Sequence, residues 1–206
     1  MPPKAKISKD MVVQAATDVT RECGVTAVNA RSVAQRLGCS TQPVMYHFAT
    51  IGELKRAVYH QVDLYHTERL MSFTGKRNPL LEIGLNYIRF AIDEPHFFRL
   101  LFQSGYASEN NVLEMVDSPE LAPVLGAMQE GLQMDMQRTK EVFLTIAMFA
   151  HGYASISANN ALDFDEEIVA EHLDRAFTGA VMAAAAVGDD DVAVTSNDAS
   201  KENEEA

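Results

Sequence analysis

The side chains best placed to do chemistry here are hydrogen-bonding groups and cations gathered between Arg31 and Lys55. Thr41, Gln42, Pro43, Tyr46 and His47 fall within seven residues. A glutamine amide can pair with adenine through two hydrogen bonds, and a threonine methyl or a proline ring can meet the methyl of thymine. A phenol and an imidazole suit phosphate oxygens better than base edges, which is the reading for Tyr46 and His47. Arg31 and Lys55 flank the group as cations within reach of a phosphate backbone, and Ser40 adds a hydroxyl. Lys4, Lys6 and Lys9 form a basic arm that could follow that backbone or stay solvated.

Catalytic patterns are missing. The chain has no G-x-S-x-G elbow, H-E-x-x-H pair, phosphate-binding loop or dinucleotide glycine pattern, so no enzyme is expected. His60 and Asp63 stand three apart, with His66 and Glu68 nearby, and could share a metal; a solvated helix face explains them more simply. No metal or cofactor is expected. Cys23 and Cys39 are too few for a disulfide framework and read as small packing residues of a cytoplasmic protein. The basic opening stretch has no apolar run after it, so it does not read as a signal peptide. No segment approaches the roughly 18 apolar residues of a membrane span, so no membrane partner is expected.

The net charge of −12 argues against nucleic acid, but it is unevenly spread. Residues 1–60 hold eight basic and four acidic residues, a balance of +4, which leaves −16 for the rest. That asymmetry fits a basic contact surface on an acidic body. Residues 188–206 carry seven acids, one Lys and no aromatics, and such a segment is expected to be a disordered, solubilising tail.

Helices must position these groups, because helical spacing recurs and no alternating strand pattern appears. Ser8 caps a first helix to about Cys23 that buries Met11, Val12, Ala15, Ala16 and Val19, and Gly24 closes it. Asn29 caps Ala30–Leu37, with Gly38 supplying the positive φ that stops it. Ser40 is expected to satisfy the opening amides of Thr41–His47. Thr50 and Glu53 form a capping box for a helix from Ile51 to about Phe73. Later helices are expected over Pro79–Asp93 with Asn78 as cap, Pro95 to Ser104, Ser118 or Pro119 to Met136, Thr139 or Lys140 to Ala158, and a last one capped by Asp163 and reaching Val187. The fold class is therefore all-α. Val33, Ala34, Leu37 and Val44 let the two short helices pack as a helix-turn-helix, with Cys39 between them and the polar residues outward. Phe48 and Leu54 read as core.

In combination these pieces resemble the TetR family of bacterial one-component transcription regulators over roughly residues 8–60. The matching residues are the opening helix to Gly24, Asn29, Arg31, Val33-Ala34, Gly38-Cys39-Ser40, His47-Phe48 and Thr50 with Glu53-Leu54. Two positions depart from the family pattern. Its usual tyrosine falls where Met45 stands, with Tyr46 next, and its usual basic residue at the start of helix four is Ile51. The stretch Asp93–Gln103 and the pair His151-Gly152 resemble one C-terminal subclass of the family, whose usual tryptophan is absent.

The resemblance implies a homodimer with a helix-turn-helix DNA-binding domain over 1–50 and a ligand-binding, dimerising domain over 51–187. Partners would be double-stranded DNA, a second copy and an unknown small molecule, and the action would be that of a repressor. Apolar and aromatic residues of the central helices supply a pool of pocket candidates: Phe90, Phe98, Phe102, Met115, Met128, Phe143, Ala147 and Met148, with His151 as a polar edge. Each would serve equally as core. Ile168, Leu173, Phe177 and Val181 form an apolar stripe expected to pair across a two-fold axis in a four-helix bundle. The rival reading is a helical adaptor that uses the N-terminal motif for protein contacts, which would call for a more apolar third helix.

Overall fold

The structure, a computed structural model, describes residues 7–106, 116–117, 119–160 and 164–198. All regular structure among them is helical. The chain divides into two compact units, Met1–Ser108 with Ala154–Leu162, and Glu109–Tyr153 with Asp163–Ala206.

The first unit contains α1 (Lys9–Cys23), α2 (Ala30–Arg36), α3 (Thr41–His47), α4 (Ile51–Leu70), α5 (Pro79–Asp93) and α6 (Pro95–Gln103). The residues 1–50 thus form part of a larger compact body. Its caps follow the sequence closely. Ser8 Oγ accepts from the Met11 amide at 3.2 Å, and Asn29 caps α2 in a reciprocal box with Ser32. Thr50 Oγ1 accepts from Glu53 N–H, and the Glu53 carboxylate accepts from Ala49 N–H at 3.1 Å. Gly24 at φ +80 closes α1 and Gly38 at φ +64 turns the chain after α2, where a Cβ would be strained.

The core joins Val12 and Ala16 of α1, Val33 of α2, Val44 of α3 and Leu54, Val58 and Val62 of α4, all fully buried. Burying each Val or Leu contributes roughly 1.5–3 kcal/mol, so this set is the main fastening of the short helices. Met11, expected on the buried face of α1, is instead exposed. Arg36 ties α2 to α1 through Glu22 at 2.6 Å and Asp18 at 3.5 Å.

α4 ends at Leu70, three residues before Phe73, because side chains of α5 seize the connection. Glu82, a buried carboxylate, accepts from the Thr74 hydroxyl at 2.7 Å and from the amides of Thr74, Lys76 and Arg77 at 2.6, 3.0 and 3.1 Å. Those donors, the Thr74 hydroxyl foremost, hold its pKa down to about 2. Asn86 Nδ2 donates to the carbonyls of Leu70 and Ser72, which closes the end of α4.

The second unit holds α7 (Ala122–Leu132), most of α8 (Met136–Asn159) and α9 (Glu166–Asp198). The single helix expected from residue 118 to Met136 is divided. A 3-10 turn covers Pro119–Leu121, and α7 stops at Leu132, where Gln133 takes a left-handed conformation at φ 52. Asp135 then caps α8 through the Arg138 amide at 2.9 Å, so α8 starts earlier than Thr139. Asp165 caps α9 through the amides of Glu167 and Ile168, while Asp163 lies outside the described residues. α9 carries helical backbone to Asp198, past Val187 and into the segment expected to lack structure; residues 199–206 lie outside the description. Extending an existing helix costs far less than nucleating one, which is why the composition of 188–198 does not stop it.

Candidate nucleic-acid interface

The polar group read from the sequence is gathered on α3 and its neighbours. Val44 anchors α3 inward. Thr41, Gln42 and Tyr46 are exposed, Tyr46 at 80%, and Pro43 is half-buried. Gly38 N–H and Cys39 N–H donate to Gln35 and Ala34 carbonyls, which fixes the turn that aims α3. Ser40 occupies the cap position of α3, yet its side chain makes no capping bond, so its exposed hydroxyl is not spent on the helix as expected. Arg31 is exposed at the start of α2, and Lys55 is half-buried on α4. Neither has a carboxylate partner among the described residues.

His47 is half-buried and engaged within the chain. Its Nε2 lies 2.9 Å from the carbonyl oxygen of Ile7, to which it donates in the tautomer that completes the bond. The cysteines also depart from expectation: Cys23 is exposed and Cys39 only half-buried. Phe48 and Leu54 are buried, as expected of core.

His66 departs from its expected place. Placed with His60, Asp63 and Glu68 on a solvated face, it is instead 7% exposed. The signal was present: Leu54, Val58, Val62 and His66 follow one another at four-residue spacing, one buried stripe of α4. Around the imidazole stand Phe90 at 4.7 Å, Phe102 at 5.3 Å and Tyr87 at 5.6 Å between ring centroids. Phe98 lies 5.0 Å from Phe102. Burial holds the His66 pKa down at about 4 and pushes the Tyr87 phenol far up. His66 Nε2 has no hydrogen-bond partner among the described residues. No group of three or more metal-ligating side chains occurs among them either.

The pool of pocket candidates therefore divides. In the first unit Phe90 and Phe102 pack on His66, and Phe98 packs on Phe102. Met128 is buried, Phe143, Ala147 and His151 half-buried and Met148 exposed, all in the second unit. Burial lowers the pKa of His151. Met115 lies outside the described residues. An open cleft of about 350 Å³ lies elsewhere, between Ile92, Pro95, Arg99 and Ser157–Asn160. None of the expected pocket residues lines it, and its Arg99 is already bonded to Asn159 and the Ala158 carbonyl.

One junction ties the end of α1 to α4 and α6 beside the aromatic cluster. Arg21 Nε at the end of α1 meets Glu94 at 3.0 Å, and the same carboxylate accepts from the Tyr65 hydroxyl at 3.3 Å. The Arg21 guanidinium lies 4.8 Å from the Phe97 ring and 5.3 Å from that of Tyr65.

On the expected dimer stripe, Leu173 is buried within the chain and so is already covered. Ile168 is 50% exposed, while Phe177 and Val181 are half-buried. Phe149, Ile156 and Met182 expose further apolar surface. No helix among the described residues is long and apolar enough to cross a membrane.

Residues 80–183 match the family described as tetracyclin repressor-like, C-terminal domain. The match spans both stretches singled out above, Asp93–Gln103 and His151-Gly152. Among solved structures, the chain is similar to a TetR variant from Acinetobacter baumannii AYE in complex with minocycline. The identity is 17% and the TM-score 0.50, over 88% of this chain and 96% of the other. No curated protein matches.

Proposed function

Because the chain belongs to the tetracycline repressor-like family, we propose that it is a ligand-responsive transcription regulator that represses by binding a palindromic operator as a dimer. The observation that carries this reading is α3, sealed inward by Val44 and presenting Thr41, Gln42 and Tyr46 outward. Thr41 and Gln42 would read base edges in the major groove, with Pro43 against a thymine methyl. Arg31, Ser40, Tyr46 and Lys55 would hold phosphates.

The effector would be a small molecule with an apolar, planar body and one hydrogen-bonding group. His66 Nε2 is the buried polar atom that such a group would satisfy, and Phe90, Phe98, Phe102 and Tyr87 would supply the walls. Release requires a second conformation that binds the effector better and DNA worse, since only differential affinity shifts an equilibrium. Dimerisation would use the exposed apolar faces of α8 and α9, with Ile168, Phe177, Val181 and Met182. The protein would act in the cytoplasm, where its operator lies.

Fluorescence anisotropy tests the reading, with DNA from upstream of the protein's own reading frame, a scrambled control and two salt concentrations. Selective binding that weakens steeply with salt is the expected result. Absence of selective binding, persisting after selection from random duplexes, would overturn it.

A further inference from the structure

The open cleft of about 350 Å³ is built wholly within the first unit, by the turn between α5 and α6 and the end of α8. Arg99, half-buried on α6, is the one charged side chain among its lining residues. The two acids of the adjoining turn are committed elsewhere. Asp93 meets Arg69 at 2.8 Å, and Glu94 meets Arg21 at 3.0 Å and accepts from the Tyr65 hydroxyl.

Arg99 itself is held by uncharged acceptors. Its Nε donates to Asn159 Oδ1 at 3.3 Å, one Nη donates to the Ala158 carbonyl, and the other donates to His96 Nδ1 at 3.3 Å. An imidazole nitrogen that accepts from a guanidinium carries no proton, so no partner among the described residues neutralises the charge. The three bonds leave one N–H on each Nη.

We propose that this cleft binds a small organic monocarboxylate, with its carboxylate on Arg99 and its apolar body against Ile92 and Pro95. Three parts make the physical case. A partly buried cation without a counter-charge is costly, and an anionic ligand removes that cost. The bonds to Asn159, Ala158 and His96 hold the guanidinium plane in place, so its two remaining donors meet a two-oxygen partner with little loss of freedom. A single cation matches a single negative charge, and the apolar walls select an organic acid over inorganic phosphate. None of the rings packed around His66 lines this cleft, so the site is separate from the aromatic cluster and stands whether or not the chain binds DNA.

The test is isothermal titration calorimetry on the full chain with three probes: benzoate, its neutral isostere benzamide, and inorganic phosphate. Saturable one-to-one binding of benzoate at roughly millimolar concentration or below is the expected result, with benzamide and phosphate each at least about tenfold weaker. Arg99→Lys keeps the charge but loses the planar fork, and should weaken benzoate about ten- to a hundredfold. Because Arg99 also fastens the end of α8, a second variant is needed: Ser157→Leu fills the cleft from a residue that makes no bond to Arg99, and should abolish binding. Failure of benzoate to bind in that range overturns the proposal. Equal binding of benzamide overturns the role of the charge, and equal binding of phosphate overturns the organic class. Benzoate binding that persists in Ser157→Leu and is lost in His66→Phe would place the ligand in the aromatic cluster instead, which also overturns the proposal.

Discussion

The buried imidazole of His66 makes the fold sensitive to acid in a way that can be worked out from its surroundings. Its pKa is about 4 in the folded chain against an ordinary 6.5. Between those values the unfolded chain binds a proton that the folded chain refuses. Stability is therefore intact above pH 6.5, falls as pH drops toward 4 and levels off below it. The full difference is worth about 3 kcal/mol, and about 2 kcal/mol of it is lost by pH 5. For a chain of this length, that corresponds to a fall in Tm of roughly 4–8 °C. The perturbation is His66→Phe, an aromatic ring that cannot titrate among Phe90, Phe102 and Tyr87. Thermal unfolding at pH 7.5 and pH 5, at one protein concentration, should show the parent losing that much more than the variant. His151, also lowered by burial, acts alike in both and cancels. Parallel losses in the two proteins would refute the reasoning, because the imidazole would then be taking up its proton in place.

Four further outcomes follow from the geometry. Gly38 sits at φ +64 with open space where a Cβ would go, so Gly38→Ala should cost about 1–2 kcal/mol from backbone strain alone, and Gly38→Asn less, by urea midpoint at unchanged m. Glu82→Gln should lower Tm and speed amide exchange at Thr74, Lys76 and Arg77. The carboxylate's contribution is present above about pH 4.5 and lost as pH falls toward 2, so only the parent should show that acid loss. Gln42→Ala should keep the fold and salt-dependent DNA binding while losing about 1–3 kcal/mol of discrimination at one base pair. Ile168→Asp combined with Met182→Asp should turn a dimer into a monomer in light scattering; a persisting dimer would place the interface elsewhere.

Local chemistry explains what the sequence made legible. Ser8, Asn29, Thr50 and Asn78 each announce a helix start because their side chains bond amides two or three residues on, and all four do so. The α2–α3 turn was readable for the same reason, with Gly38 meeting a backbone demand. What escaped was set by tertiary partners. The end of α4 depends on Glu82 and Asn86 from α5, over distances that no local pattern encodes. The break after Leu132 uses Gln133 in a left-handed conformation, a place where glycine would have been the signal. Ser40 fits the cap position by type but leaves its hydroxyl outside, and the His47 bond to Ile7 spans forty positions. The burial of His66 is encoded in its four-residue register with Val62, a signal that its polarity masks.

α4 is a straightedge with the two ends of the proposed function marked on it. Thr50 caps it just after α3, and His66 stands sixteen residues further along, a separation of about 24 Å at about 1.5 Å per residue. A tilt of about 5° pivoting at His66 carries Thr50 about 2 Å over that length. Hydrogen bonds to base edges tolerate only a few tenths of an ångström, between about 2.7 and 3.2 Å. A tilt of that size at the aromatic cluster would therefore move the N-terminal end of α4 by several times what a base-edge hydrogen bond tolerates.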